Sequence, residues 1–239
     1  MKSIDERTAP AVSAEQVAHM LQFGDSMFPI GVFAFSCGLE SAVQKGVVRD
    51  SLTLLAFTRT AIEQANRGDG IGVLRAHRAA LAMDIDEIVR IDHLLFARKL
   101  SSETRTMSVR TGKRLTEMGA AVIGSPLVLA WRDRVDAGST PGCHPVALAV
   151  NFAAQALTER DAFVVHQYGV AAAILSAALR LMRIGHVDTQ RMLYALNADL
   201  DAAYRTAAMA RLPDMAGFAP LMEILAAVHV KAHVRLFMN

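Results

Sequence analysis

The chain has 239 residues, enough for one large domain or two small ones with a sizeable buried core. It is 53% hydrophobic but only 6% aromatic, so its apolar content is mostly Ala, Leu, Val, Ile and Met, which favours packed helices. A formal net charge of +2, with positive residues scattered along the chain, excludes the basic face of a nucleic-acid binder and leaves proteins as the expected partners.

The N-terminal residues 1–12 are polar and contain Pro10, so they are expected to form a disordered arm ahead of an ordered domain over 13–239. They carry acids where a secretion signal has an apolar run, and Cys37 and Cys143 lack CxxC spacing. These features predict a cytoplasmic chain with reduced thiols. Ser13 and Gln16 form a capping box for a helix ending near Phe23. An unusually apolar loop follows, with Met27, Phe28, Phe33 and Phe35 around Pro29 and Gly31. Loops are polar unless packed down, so this one is read as core-plugging or partner-facing.

Helices are then predicted over 36–45, stopped by Gly46, and from Asp50 or Ser51 to about Asn66, where Gly68, Gly70 and Gly72 impose a stop and restart. No strand precedes those glycines and no Gly-Lys-Ser follows, so they make no phosphate loop. Further helices are expected at 69–82 and after Asp84, with Ile85, Ile88, Ile91, Leu94 and Leu95 on the inner face. Segment 101–119 is polar nearly all round and is expected to face solvent or another protein. The polar stretch 133–145 reads as a mobile mid-chain connection, followed by helices near 145–157, 159–183, 188–211 and 219–230. The apolar run 169–179 is too short to span a bilayer, and 119–131 is broken by Gly124, Ser125 and Pro126, so no membrane span is expected. Strand signals are absent, and short links between helices indicate an all-α, single-domain bundle of about ten helices.

Candidate chemistry is thin. His229 and His233 share a helix face, but two nitrogens make an incomplete metal site unless a second subunit completes it. The pair Cys143 and His144 falls in the polar connection, and the acids at 159, 161, 199 and 201 fit helix starts. Phe23, Gly24, Asp25 and Ser26 match the start of a GDSL-type esterase nucleophile block. That chemistry needs an Asp-x-x-His pair, and no histidine has an aspartate three residues before it. No catalytic group and no cofactor is therefore assigned. A generic helical interaction scaffold is the reading from residue chemistry alone.

One resemblance is specific. Leu21, Gln22, Asp25, Ser26, Pro29, Gly31, Phe33, Ser36, Gly38, Leu39 and Glu40 resemble the N-terminal signature of the UreF family of urease accessory proteins. Glu103, Arg105, Ser108, Gly112, Lys113, Arg114 and Leu115 resemble a second block; His144, Pro145, Leu179 to Leu181, Ile184, Gly185 and Gln190 a third; and Arg235, Leu236 and Phe237 the family's tail. Cys37 and His186 stand where that family has glutamine. The resemblance implies an all-α, dimeric, non-enzymatic protein that binds UreD (UreH), recruits the GTPase UreG, and assists nickel delivery to apo-urease. It also implies that the signature residues around Asp25 to Glu40, the Glu103 to Leu115 helix, Gln190 and the tail serve partner binding.

Overall fold

The computed structural model describes residues 12–217, 219–229 and 236–237. The described part is all-α, with no strand. Helix α1 (Ala14–Gly24) is capped as its sequence dictates: Ser13 Oγ accepts from Gln16 N, and the Gln16 side chain accepts from Ser13 N. After a loop containing the 3₁₀ turn Val32–Ala34 come α2 (Leu39–Gln44), α3 (Ser51–Ala65), α4 (Ile71–Leu81) and α5 (Ile85–Arg98). Then follow α6 (Ser102–Val122), α7 (Pro126–Asp136), α8 (His144–Ala154), α9 (Glu159–Leu181), α10 (His186–Asn197), α11 (Leu200–Met209), a 3₁₀ turn Leu212–Asp214 and α12 (Pro220–His229). The arm predicted over 1–12 lies, apart from an exposed Val12, outside the described residues.

Two apolar clusters form the interior. The larger packs α4, α7 and α8 around Leu74, Trp131, Val146, Leu148 and Phe152, all at most 2% exposed. The smaller joins α2, α3 and α10 through Leu39, Leu54, Leu193 and Leu196 and also takes in Phe237. Helix α9 belongs to both: Ala162 and Phe163 sit in the first cluster, Ala171, Ile174 and Leu175 in the second. It is 23 residues long and apolar enough to cross a bilayer, but half of its apolar window is buried against the rest of the protein. That all-round apolar character is what a helix central to a packed core requires.

Four expectations change. The glycine-rich stretch 67–72 does not stop the helix: Asn66–Gly70 forms a π-helical turn in right-handed backbone throughout, carrying α3 straight into α4. Gly70 serves close packing there, since a Cβ would lie 2.7 Å from the Phe163 ring. Segment 101–119 is not polar for the sake of solvent. Ser108, Thr111, Gly112, Leu115, Thr116 and Gly119 of α6 are buried against α8, with the threonine hydroxyls donating back to carbonyls four residues earlier.

The mid-chain connection is anchored rather than mobile. Asp92 is fully buried, and its carboxylate accepts from Thr140 Oγ1, Gly142 N and Cys143 N at 2.6, 2.6 and 2.8 Å. One acid thereby satisfies two backbone donors and a hydroxyl that would otherwise be stranded away from water. Finally, the helix expected over 188–211 divides at Ala198 and Asp199. Gly185 takes the N-cap position of α10, so the helix begins at His186, before the expected position 188.

Candidate functional site

The apolar loop divides its phenylalanines between two tasks. Phe23 and Phe28 stack at 4.8 Å and are buried with Phe35, whereas Met27 and Phe33 are 85% and 70% exposed. Asp25 builds the turn: its Oδ1 accepts from Met27 N at 2.8 Å, and its carbonyl accepts from Phe28 N. Ser26 is exposed in that turn, with no strand behind it to present a nucleophile. Gly31 and Gly38 have φ of 80° and 81°, left-handed backbone where a Cβ is strained. Cys37 holds φ 54° as a non-glycine residue, and burial pushes its thiol up to about 11. It is therefore a poor thiolate at neutral pH.

Three side chains tie this loop to other elements. Arg114 of α6 donates from Nε to the Pro29 carbonyl at 3.4 Å, and Arg180 of α9 donates to the Phe33 carbonyl at 2.9 Å. Cys37 Sγ lies 4.0 Å from Met107 Sδ of α6. The described tail residues complete the surface. Glu40, 2% exposed at the start of α2, accepts from Leu236 N at 2.7 Å and Phe237 N at 3.1 Å. The Arg180 guanidinium lies 4.0 Å from the centroid of the Phe237 ring, a cation–π contact. Phe237 is 4% exposed inside the smaller core, while Leu236 stays 60% exposed beside it. Loop, α6, the end of α9 and the tail are thus tied to one another, and Met27, Phe33 and Leu236 are exposed apolar side chains of the loop and tail.

Other predicted site residues have intrachain tasks. Ser36 is buried and its Oγ accepts from Glu40 N. Arg105 donates to the Lys99 carbonyl at 2.5 Å and stacks over Phe96, closing the end of α5. Gly112 is needed for contact: a Cβ there would lie 2.2 Å from the Gly142 carbonyl oxygen and 2.4 Å from His144 N. Glu103 and Ser108 are buried on the same helix, and Lys113 is exposed. Gln190 is exposed on α10, which packs on α9 and α3. Arg235 and His233 lie outside the described residues, as does the His229 side chain. Among the described residues no group of three or more His, Cys, Asp or Glu could hold a metal ion.

A polar cluster that single-residue reading missed lies at the join of the two cores. Lys99 Nζ donates to both Asp69 oxygens at 2.8 Å, beneath the His144 and His166 rings, whose centroids are 6.1 Å apart. Burial, added to by mutual repulsion, holds His144 at about 3, and burial holds His166 at about 4, so both are neutral at pH 7. Burial alone would raise Asp69 and lower Lys99. Their mutual attraction outweighs it, leaving the acid below and the amine above their ordinary ranges. The sequence signal was the π turn: glycines flanking an aspartate inside an otherwise continuous helical pattern.

The UreF family model matches residues 48–197. A urease accessory protein UreF from Yersinia enterocolitica is 48% identical over 228 residues, covering 95% of this chain and all of the relative. A urease accessory protein UreF 2 from Brucella canis is 50% identical over 237 residues, covering 99% and 98%. The signature loop, the α6 block and the tail, tied to one another, therefore sit in a chain that matches such relatives nearly end to end, and the chain belongs to the UreF family of urease accessory proteins.

Proposed function

We propose that this chain is a non-catalytic scaffold of urease maturation. It binds UreD (UreH) and, as a cytoplasmic homodimer, recruits the GTPase UreG and regulates it during nickel insertion into apo-urease. A protein with no phosphate loop of its own can still govern a GTPase by binding one of its conformations more tightly than another.

The observation that carries this reading is the composite surface of loop and tail. Glu40 and Arg180 fasten the tail to the signature loop, and Met27, Phe33 and Leu236 of that loop and tail are exposed. Exposed apolar groups on a loop held rigidly from behind by Arg114 and Arg180 are suited to act as anchors for a partner. Phe237, filling this chain's own core, holds the tail in place, and Leu236 is presented outward.

The test is co-purification with UreD and UreG, with and without GTP and nickel. A Met27→Asp/Phe33→Asp variant changes only exposed side chains, so its circular dichroism should match wild type while capture of UreD or UreG falls at least tenfold. A variant lacking residues 236–239 should lose capture as well. Full retention by the loop variant, with helicity intact, overturns the reading.

A further inference from the structure

On α4, α5 and the turn before α12, away from the loop and tail, four arginines line one cleft of about 410 Å³. Arg75 donates from Nε and Nη2 to the Ala210 carbonyl, and Arg98 donates from Nη1 to the Met215 carbonyl at 2.7 Å. Neither has a carboxylate within ion-pair distance among the described residues, although Asp214, paired with Arg211, also feels the charge of Arg75. The other two are paired: Arg90 with Glu87 at 2.6 Å, and Arg211 with Asp214 at 3.2 Å. Four cations against two anions leave the cleft at +2, equal to the formal net charge of the whole chain.

The cleft is also shaped. Leu94, Leu212 and Pro213 form an apolar strip between the guanidiniums. A guanidinium has five donors in a planar fork, and the carbonyls of Ala210 and Met215 use only some of them. Those carbonyl bonds fix Arg75 and Arg98 in place, so little side-chain entropy remains to be lost when an anion arrives. No aromatic platform and no glycine-rich turn lines the cleft, so it lacks the features that hold a nucleotide base and its phosphates.

We infer that this cleft docks an acidic segment of a partner protein, with carboxylates on Arg75 and Arg98 and an apolar side chain on the Leu94 and Leu212 strip. Charge complementarity and the alternation of cation with apolar surface select that occupant over a free phosphate or a nucleic acid. The site does not depend on the loop and tail, so it stands or falls separately from the scaffold reading.

The probe is a fluorescein-labelled decapeptide alternating glutamate and leucine, titrated with the full chain and followed by anisotropy. A glutamine–leucine peptide serves as control, with tripolyphosphate and single-stranded oligothymidylate as competitors. Arg90→Gln/Arg211→Gln removes two exposed cations and takes the cleft from +2 to zero; Arg75 and Arg98 keep their carbonyl bonds. The glutamate peptide should bind at least tenfold more tightly than the glutamine peptide. Its affinity should fall about tenfold in the double variant, whose urea midpoint stays at the wild-type value, and should weaken as salt is raised. Absence of binding, equal binding of the two peptides, equal binding by the double variant, or tighter binding of tripolyphosphate or oligothymidylate would each overturn the proposal.

Discussion

At Gly112 a hydrogen atom decides whether two elements can meet. The α6 backbone approaches the Gly142–His144 backbone so closely that the missing Cβ would overlap peptide atoms, which cannot swing aside as a flexible side chain can. Gly112→Ala is expected to destabilise the fold by at least about 2 kcal/mol through overpacking. The measurement is urea unfolding followed by Trp131. This is the chain's one tryptophan, fully buried and donating to Thr116 Oγ1 at 3.0 Å. A wild-type midpoint would show that the helix can retreat without cost. Family signature alone places Gly112 among partner-binding residues. Its neighbour in space is 30 residues away in sequence, so nothing in the local pattern announces the contact. Arg105 is similar: its closing bond to the Lys99 carbonyl depends on how the chain turns between α5 and α6.

Between α3 and α4 the π turn carries Asp69. It places the Asp69 carboxylate against Lys99 at the end of α5. Lys99 is 9% exposed at its side chain, so removing Asp69 alone strands a charge in a poorly solvated place. Asp69→Asn or Lys99→Met alone is expected to cost about 3 kcal/mol, while the double substitution costs less than the sum of the two. Additive losses in a double-mutant cycle would show that the pair is not coupled. Helix existence was legible from spacing and caps over most of the chain. The misses share a cause, since glycines read locally as breaks, and polar residues read as solvent-facing, take their meaning from what packs across from them. Asp92 is the clearest case: the loop it anchors lies 48 to 51 positions further on.

Across the whole molecule, two apolar cores are joined where α9 passes from one to the other, and that join holds neutral histidines. The sign of their effect follows from burial. Folded His144 and His166 stay unprotonated down to about 3 and about 4, whereas an unfolded chain takes up protons at its histidines near pH 6.5. Between those limits the unfolded state binds more protons, so stability falls as pH drops through the window from about 6.5 to about 4. The loss from pH 7 to pH 5 is expected to be about 4 kcal/mol for the two together. His77, depressed by burial in the larger core, adds in the same direction. Urea midpoints at the two pH values give the measurement, and His144→Gln/His166→Gln should flatten the dependence. An unchanged slope in that variant would place the protons elsewhere. The all-α class and the family were legible in the sequence; the division of the interior was not, because α9 reads as one uninterrupted apolar helix.

The hold that Glu40 keeps on the tail has an evolutionary corollary. Its carboxylate accepts from the main-chain amides of Leu236 and Phe237, so the information for those two bonds is written near the start of the polypeptide, 196 residues before the place where it acts. Position 236 can drift among almost all residue types without loosening the grip. Proline is barred, because it alone brings no amide hydrogen to be held.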